Sequence, residues 1–114
     1  MTNLLRNQIE VTLGEKTYKA RLTIDSIIQI EEKVGMGIIK LVQRMTEGDV
    51  RMSDVLQVLY FSLRGGGNDL SIKDVGKLVG DVGIVESTKS VAEILTKALV
   101  DSDEEDKENV KKKE

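Results

Sequence analysis

The sequence contains neither cysteine nor histidine, and these two absences exclude several kinds of chemistry. Without cysteine there can be no disulfide and no thiolate nucleophile. Without histidine the chain lacks the most common general base near neutral pH and the most common ligand of transition metals. We therefore expect a protein that is not an enzyme and that uses no metal or other cofactor.

Proline, aromatic residues and long apolar runs are also missing or scarce. There is no proline, and the aromatic residues are Tyr18, Tyr60 and Phe61, too few for a surface that stacks on nucleic-acid bases. No apolar run approaches the roughly 20 residues of a membrane span. Residues 1–11 lack the apolar stretch of a signal peptide. The sequence therefore predicts a soluble, cytoplasmic protein that binds neither nucleic acid nor membrane.

Charge is distributed unevenly along the 114 residues. Residues 1–100 carry 13 acidic and 13 basic side chains, whereas residues 101–114 carry seven acidic and four basic ones, so the tail holds the whole net charge of -3. The tail contains one valine and cannot bury enough apolar surface to offset the entropy of ordering its chain. The sequence predicts one domain over residues 1–100 and a disordered charged tail over residues 101–114.

Hydrophobic periodicity predicts an α+β fold in which an N-terminal β-hairpin packs on about five helices. Residues 8–13 and 17–22 alternate apolar and polar side chains around a short glycine-containing loop. From Thr23 the spacing becomes helical, and Gly35 is a natural end for the first helix. A lone hairpin is marginal in water, so we expect its apolar face to pack on the helices.

Caps and glycines mark the later helices, which follow a short second helix. The third helix is apolar over more than half its circumference, which predicts a buried helix at the centre of the core, and Ser53 is its expected N-cap. Ser71 and Asp74 have the spacing of a capping box at the start of the fourth helix, which Gly83 ends. A fifth, amphipathic helix covers residues 91–99.

Three consecutive glycines, Gly65, Gly66 and Gly67, follow the third helix. A phosphate-binding loop requires a preceding strand and a Lys-Ser or Lys-Thr pair, and the sequence predicts neither at this place. The preferred interpretation is that glycine ends the third helix and that Asn68 and Asp69 complete the turn into the Ser71 cap. We therefore predict that the three glycines form a flexible hinge, and we expect Gly66→Ala to leave folding nearly intact.

The first two helices carry more isoleucine than packing on one side requires, with apolar residues over an arc of roughly 160° on each. One interpretation is that the hairpin and the third helix bury all of this surface. The other is that part of it forms a groove or a self-association patch. The candidate partner-binding residues are Ile27, Ile28, Ile30, Ile38 and Ile39.

The order of these features resembles the tail assembly chaperones of long-tailed phages and gene transfer agents. The resemblance covers residues 8–100 and rests on the segments LGEKTYKARLTIDSIIQIEEKVGMGI, MSDVLQVLYFSLR and DLSIKDVGKLVGDVG. It includes a Glu-Glu-x-x-Gly pattern at the end of the first helix. The glycines 65–67 depart from the family, whose members more often carry bulkier polar residues there.

The resemblance implies a non-enzymatic assembly factor of a siphophage or prophage. Such a chaperone would bind the tape measure protein, and also tail tube subunits or further copies of itself, in the host bacterial cytoplasm, and it would be absent from the mature virion. The resemblance also implies a longer form made by programmed frameshifting, with codons for Lys111–Lys113 as an adenine-rich slippery site. The alternative is a structural tail tube or connector subunit that remains in the virion.

Overall fold

The computed structural model describes the backbone of residues 8–113 and the side chains of residues 8–99. Two antiparallel strands, β1 (Gln8–Leu13) and β2 (Lys16–Arg21), precede the helices. The helices are α1 (Ile24–Val34), α2 (Ile38–Thr46), α3 (Met52–Gly65), α4 (Ile72–Val82) and α5 (Ile84–Lys113). This order confirms the predicted α+β fold, with an N-terminal hairpin and five helices.

The hairpin has one buried and one exposed face, as its alternating sequence predicts. In β1 every second side chain is buried, and these side chains are Ile9, Val11 and Leu13. Gly14 and Glu15 form the loop between the paired residues Leu13 and Lys16. Gly14 has a φ of 72°, which a glycine adopts without strain at the first position of a two-residue hairpin loop.

Helix α3 is the centre of the core, as predicted from its apolar circumference. It contacts β2, α1, α4 and α5. Its fully buried apolar side chains are Val55, Val58, Leu59 and Leu63. Helix α5 also makes many of the packing contacts, because it lies against β1, α2, α3 and α4. The hairpin is therefore held by two helices, with β1 on α5 and β2 on α3.

The start of α3 differs from the prediction, because the helix begins at Met52 with Arg51 rather than Ser53 at the N-cap position. The Arg51 Nη2 donates to Asp54 Oδ1 at 2.9 Å, and Nε donates to Asp54 Oδ2 at 3.2 Å. The same Nη2 donates to the carbonyl of Val34 at 3.1 Å. One guanidinium thus joins the end of α1 to the first turn of α3.

The ion pair with Asp54 also changes the titration of Arg51. The hydrogen bond to the Asp54 carboxylate, followed by the attraction between the two charges, raises the pKa of the Arg51 guanidinium. The Asp54 side chain is only 4% exposed, so loss of Arg51 would leave a buried carboxylate without its ion-pair partner. Ser53 has the side chain typical of an N-cap, which accepts hydrogen bonds from the helix, whereas Arg51 donates to Asp54, the third residue of the helix.

The start of α4 confirms the predicted capping box. The Ser71 N–H donates to Asp74 Oδ2 at 2.9 Å, and the Asp74 N–H donates to Ser71 Oγ at 3.1 Å. The hydrogen bond from the Ser71 backbone, followed by the one with its side chain, holds the pKa of Asp74 below its ordinary value. Gly83, with a φ of 106°, separates α4 from α5.

The helical backbone of α5 extends beyond the packed residues to Lys113, into the charged C-terminal tail. After Gly83 the sequence contains neither glycine nor proline to interrupt a helix. Acidic and basic residues also stand four positions apart, as in Glu108 and Lys112, a spacing that favours helical backbone. The division into a domain over residues 1–100 and a tail over residues 101–114 stays a prediction.

The glycine run lies directly against β2. A Cβ atom on Gly65 would overlap the carbonyl oxygen of Arg21, and one on Gly66 would overlap the carbonyl oxygen of Lys19. Asn68 strengthens the attachment, because its Nδ2 donates to the same Lys19 carbonyl at 2.7 Å. The expectation that Gly66→Ala leaves folding nearly intact is therefore wrong, since no side chain fits there.

Gly67 differs from the two glycines before it. Its φ is 97°, in the range that favours glycine, and no atom lies within 4 Å of a Cβ placed there. Glycine is favoured at position 67 because of the backbone conformation there. At Gly65 and Gly66 it is required because a side chain would collide with β2. A hinge role for the three glycines stays a prediction, and the packing of the first two against β2 opposes it.

Gly66→Ala is expected to lower the free energy of unfolding by about 1–3 kcal/mol or more, because the added methyl group overpacks the contact with β2. Urea denaturation measures the loss. Gly80→Ala in α4 is the matched control, since a Cβ there meets no atom within 4 Å and alanine favours helix by about 0.5–1 kcal/mol. Wild-type stability of Gly66→Ala would contradict the close approach.

Arg51→Lys is expected to destabilise the protein clearly more than Arg44→Lys. A lysine ammonium cannot reproduce the fork that contacts both Asp54 oxygens and the Val34 carbonyl. The control arginine makes one exposed ion pair, between Arg44 Nη1 and Asp49 Oδ2 at 3.3 Å, and such pairs contribute little. The measurement is the urea midpoint of both variants, and equal midpoints would show that the guanidinium fork is dispensable.

Candidate self-association surface

Isoleucines on α1 form exposed apolar surface beside the core. Ile24 is 74% exposed and Ile28 is 49% exposed, and their spacing of four residues puts them on the same side of the helix. Ile27 is half-buried and packs against the core cluster. We call Ile24, Ile27 and Ile28 the α1 isoleucine surface.

Both ends of α1 fix how the helix presents this surface. Thr23 Oγ1 accepts a hydrogen bond from the Ser26 N–H at 3.0 Å and so caps the first turn. Gly35, at a φ of 78°, ends the helix in the left-handed conformation. Between the caps Ile30 and Val34 are buried, which sets the side of α1 that faces the core. The isoleucine surface then lies on the flank of the helix.

A groove of about 240 Å³ adjoins the α1 isoleucine surface, where the start of α1, the end of β2 and α5 meet. Its lining combines polar and aliphatic surface and consists of Arg21, Leu22, Thr23, Ile24, Ile27, Ala98 and Leu99. Within the part of the chain whose side chains are described, the buried Nε of Arg21 has no hydrogen-bond partner. The groove therefore offers aliphatic contact beside the side chain of Arg21.

The predicted partner-binding residues divide between surface and core. Ile30 is fully buried and Ile38 is 8% exposed, so neither is available to a partner. Ile28 and Ile39 are exposed and Ile27 is half-buried, so these three remain candidates. Ile24 was not among the predicted residues, although it is more exposed than any of them. Ile24 directly follows the Thr23 cap and lies in the first turn of α1. This position in the sequence could have indicated that its side chain is exposed.

A second groove, of about 380 Å³, lies between α1 and α3 and is mostly polar. The rings of Tyr60 and Phe61 meet edge to face with centroids 4.9 Å apart, and the Arg64 guanidinium lies 5.6 Å from the Tyr60 centroid. The Asp25 carboxylate accepts a hydrogen bond from Gln29 Nε2 at 2.8 Å. The aromatic and polar groups of this groove thus make their contacts with one another. The groove contains no nucleophile paired with a general base.

Two further kinds of site are absent from the part of the chain that the structure describes. No three metal-ligating side chains come together among the residues that the structure describes. In the same part of the chain, no helix combines the length and the apolar composition needed to cross a membrane.

Comparison with protein families identifies a relationship that the geometry alone does not. The family model described as phage tail tube protein, GTA-gp10, matches residues 6–101. The chain belongs to this phage tail tube protein family. The match spans the hairpin, α1 to α4 and the packed part of α5. Comparison with curated proteins and with solved structures gives no significant match.

Membership of the tail tube family confirms the predicted association with phage tails and corrects the predicted location. A tail tube protein is a structural component of the virion, so the expectation that the protein is confined to the host cytoplasm and absent from the mature virion is wrong. The family allows a tail tube subunit or a further copy of the chain as partner. Chaperone activity, tape measure binding and frameshifting remain predictions without support from this match.

Ile30→Ala and Ile28→Ala remove the same side-chain atoms from α1, the first from a buried position and the second from an exposed one. We expect Ile30→Ala to lower the free energy of unfolding by about 2–5 kcal/mol, because it leaves a cavity in the core. Ile28→Ala should cost less than about 1 kcal/mol, since the side chain is half exposed already. Thermal or urea unfolding measures both, and equal losses would mean that the exposed isoleucine surface is wrongly placed.

Proposed function

We propose that this protein is a structural subunit of a phage tail tube that remains in the virion and associates with further copies of itself. The observation that carries the proposal is the family match over residues 6–101. A protein tube is a polymer, so each subunit must present surfaces that other subunits cover. The α1 isoleucine surface and the groove beside it are suited to that purpose.

Apolar burial can supply the energy of such a contact. Fully burying an isoleucine side chain contributes about 1.5–3 kcal/mol, and Ile24 and Ile28 keep much of their surface exposed in the single chain. Binding alone fulfils this role, so we propose a non-enzymatic function.

A chaperone would use the α1 isoleucine surface differently from a tube subunit. A chaperone would cover apolar parts of the tape measure protein for a time and then leave, whereas a tube subunit stays bound to its neighbours. The two roles therefore differ in whether the chain is part of the finished particle. The tail tube role is the better supported one because the matching family is described by it.

Mass spectrometry of purified particles tests the proposal. We expect the chain in many copies per particle, in proportion to the length of the tail. Its absence from intact, tailed particles would overturn the tube role.

The contribution of the α1 isoleucine surface can be tested in the same system. The double variant Ile24→Glu, Ile28→Glu is expected to fold, since both side chains are exposed, and to be lost from particles because charged groups replace the apolar contact. Lys33→Glu, at an exposed position of α1 outside the isoleucine surface, is the matched control and should be incorporated normally. Normal incorporation of the double variant would exclude the α1 surface as the contact.

A further inference from the structure

Two neighbouring apolar side chains at the start of α5 are exposed to solvent. Ile84 is 61% exposed and Val85 is 67% exposed, whereas the buried side of the helix begins at Ser87. Within residues 8–99 no other two adjacent large apolar side chains are both exposed. Single exposed apolar residues are normal on a protein surface, but an adjacent pair with no cover indicates a contact. We call Ile84 and Val85 the α5 apolar pair.

The α5 apolar pair lies far from the groove beside α1, although both belong to the same helix. Ala98 and Leu99 of α5 line that groove. Ala98 follows Ile84 by 14 residues of helix, which is about 21 Å along the helix axis. One chain therefore cannot place its own pair in its own groove, and only another copy can bring the two surfaces together.

We propose that the α5 apolar pair of one copy packs into the groove beside α1 and onto the α1 isoleucine surface of a second copy. The groove, of about 240 Å³, has room for both side chains. An apolar cavity of about 150 Å³ holds benzene with its six carbons, and the two side chains together have seven. Both are β-branched and stiff, so ordering them in a contact costs little entropy.

Three other grooves formed by residues 8–99 suit the pair less well. The groove between α2 and α5, of about 70 Å³, is too small for two branched side chains. The groove between α1 and α3 is mostly polar. A groove of about 480 Å³ between the hairpin loop and α4 includes Val82, two residues before Ile84, and so lies at the same end of the molecule as the pair. The groove beside α1 combines sufficient size, aliphatic contact and a position at the other end of α5.

The charges beside the two surfaces are opposite in sign. Glu86 directly follows the apolar pair in the first turn of α5, and Arg21 lines the groove. Lys89 is exposed one turn after the pair, and Glu32 is exposed one turn after the α1 isoleucine surface. The ion pairs found within residues 8–99 include none of these four residues. A second copy seated in this way therefore meets complementary charges at the edge of the apolar contact.

The proposed contact joins two different surfaces and therefore repeats from copy to copy. Each copy in contact still has one free surface, the apolar pair or the groove, and such a heterologous contact forms rings or open polymers. The inference deepens the proposed tail tube role and rests on it for its biological meaning. It adds which part of the next copy covers the α1 isoleucine surface, and that contact can be tested on the isolated protein.

Disulfide mapping tests the contact directly, because the native chain has no cysteine. We expect Val85→Cys chains mixed with Ile24→Cys chains to form a disulfide-linked heterodimer on mild oxidation, at several times the yield of control mixtures. Non-reducing electrophoresis and mass spectrometry of the linked peptides measure the yield. In one control Ile39→Cys, an exposed isoleucine position on α2, replaces Ile24→Cys. In the other Ile72→Cys, an exposed position in the first turn of α4, replaces Val85→Cys.

A chain that carries both Ile24→Cys and Val85→Cys tests whether the two surfaces belong to different copies. It is expected to give a ladder of linked multimers, because a disulfide requires Cα atoms within about 7 Å and the two surfaces of one chain are much farther apart. The ladder should collapse to monomer on reduction. An internally linked monomer in place of the ladder would show that the surfaces meet within one chain and would overturn the inference.

Charge exchange tests how the second copy is oriented. Lys89→Glu and Glu32→Lys are each expected to weaken self-association roughly two- to fivefold, as measured by sedimentation velocity. A chain with both changes should regain the lost affinity, because a glutamate of one copy then meets a lysine of the next. Lys40→Glu makes the same change of charge on the exposed side of α2 and is the control. A double variant as weak as the single ones would overturn this placement of the second copy.

The outcomes separate this inference from the tail tube role. Heterodimer yields no higher than those of the two control mixtures overturn the inference. A specific heterodimer from a protein that is absent from particles would refute the tube role and leave the contact standing. A protein that is present in particles but gives no specific heterodimer would refute the contact alone.

Discussion

The end of α3 and the strand β2 touch backbone to backbone, and the position of the hairpin depends on that contact. Gly65 and Gly66 allow it because neither has a side chain to separate the helix from the carbonyl groups of Lys19 and Arg21. A two-stranded hairpin has little stability of its own, so this attachment and the packing of β1 on α5 are what hold it. Since α1 starts three residues after β2, the direction in which it leaves the hairpin, and with it the exposed flank of α1, follows from the same contact.

Local signals in the sequence predicted most of the fold, whereas contacts between distant residues were not predictable. The alternation of Ile9, Val11 and Leu13 identified β1, and the Ser71 cap identified the start of α4, because each depends on residues within one element. The role of Gly66 depends on Lys19, which lies 47 positions earlier, so the glycine run looked like a free hinge. The Arg51 cap was missed for a related reason, since it also reaches back to the carbonyl of Val34.

The exposure of the α1 isoleucines was likewise only partly predictable from helical periodicity. Helical periodicity placed isoleucines on a wide arc of α1, yet it could not tell that Ile30 is buried while Ile28 is half exposed, because that depends on which neighbours cover the arc. The resemblance to tail assembly chaperones likewise rested on apolar and glycine positions. Such positions specify a fold, and a fold can serve both a chaperone and a tube subunit. The association with phage tails was therefore predictable, whereas the choice between a chaperone and the alternative of a structural subunit that remains in the virion was not.

The distribution of charge leaves shape and apolar contact to decide how copies associate. Residues 1–100 have no net charge, so two bodies can approach without long-range repulsion, and the net charge of -3 belongs to residues 101–114. At physiological salt, charges attract or repel strongly only within about 8 Å, so they act after the bodies have met. In the proposed tube role, the α1 isoleucine surface can then supply binding energy once the two bodies are in contact.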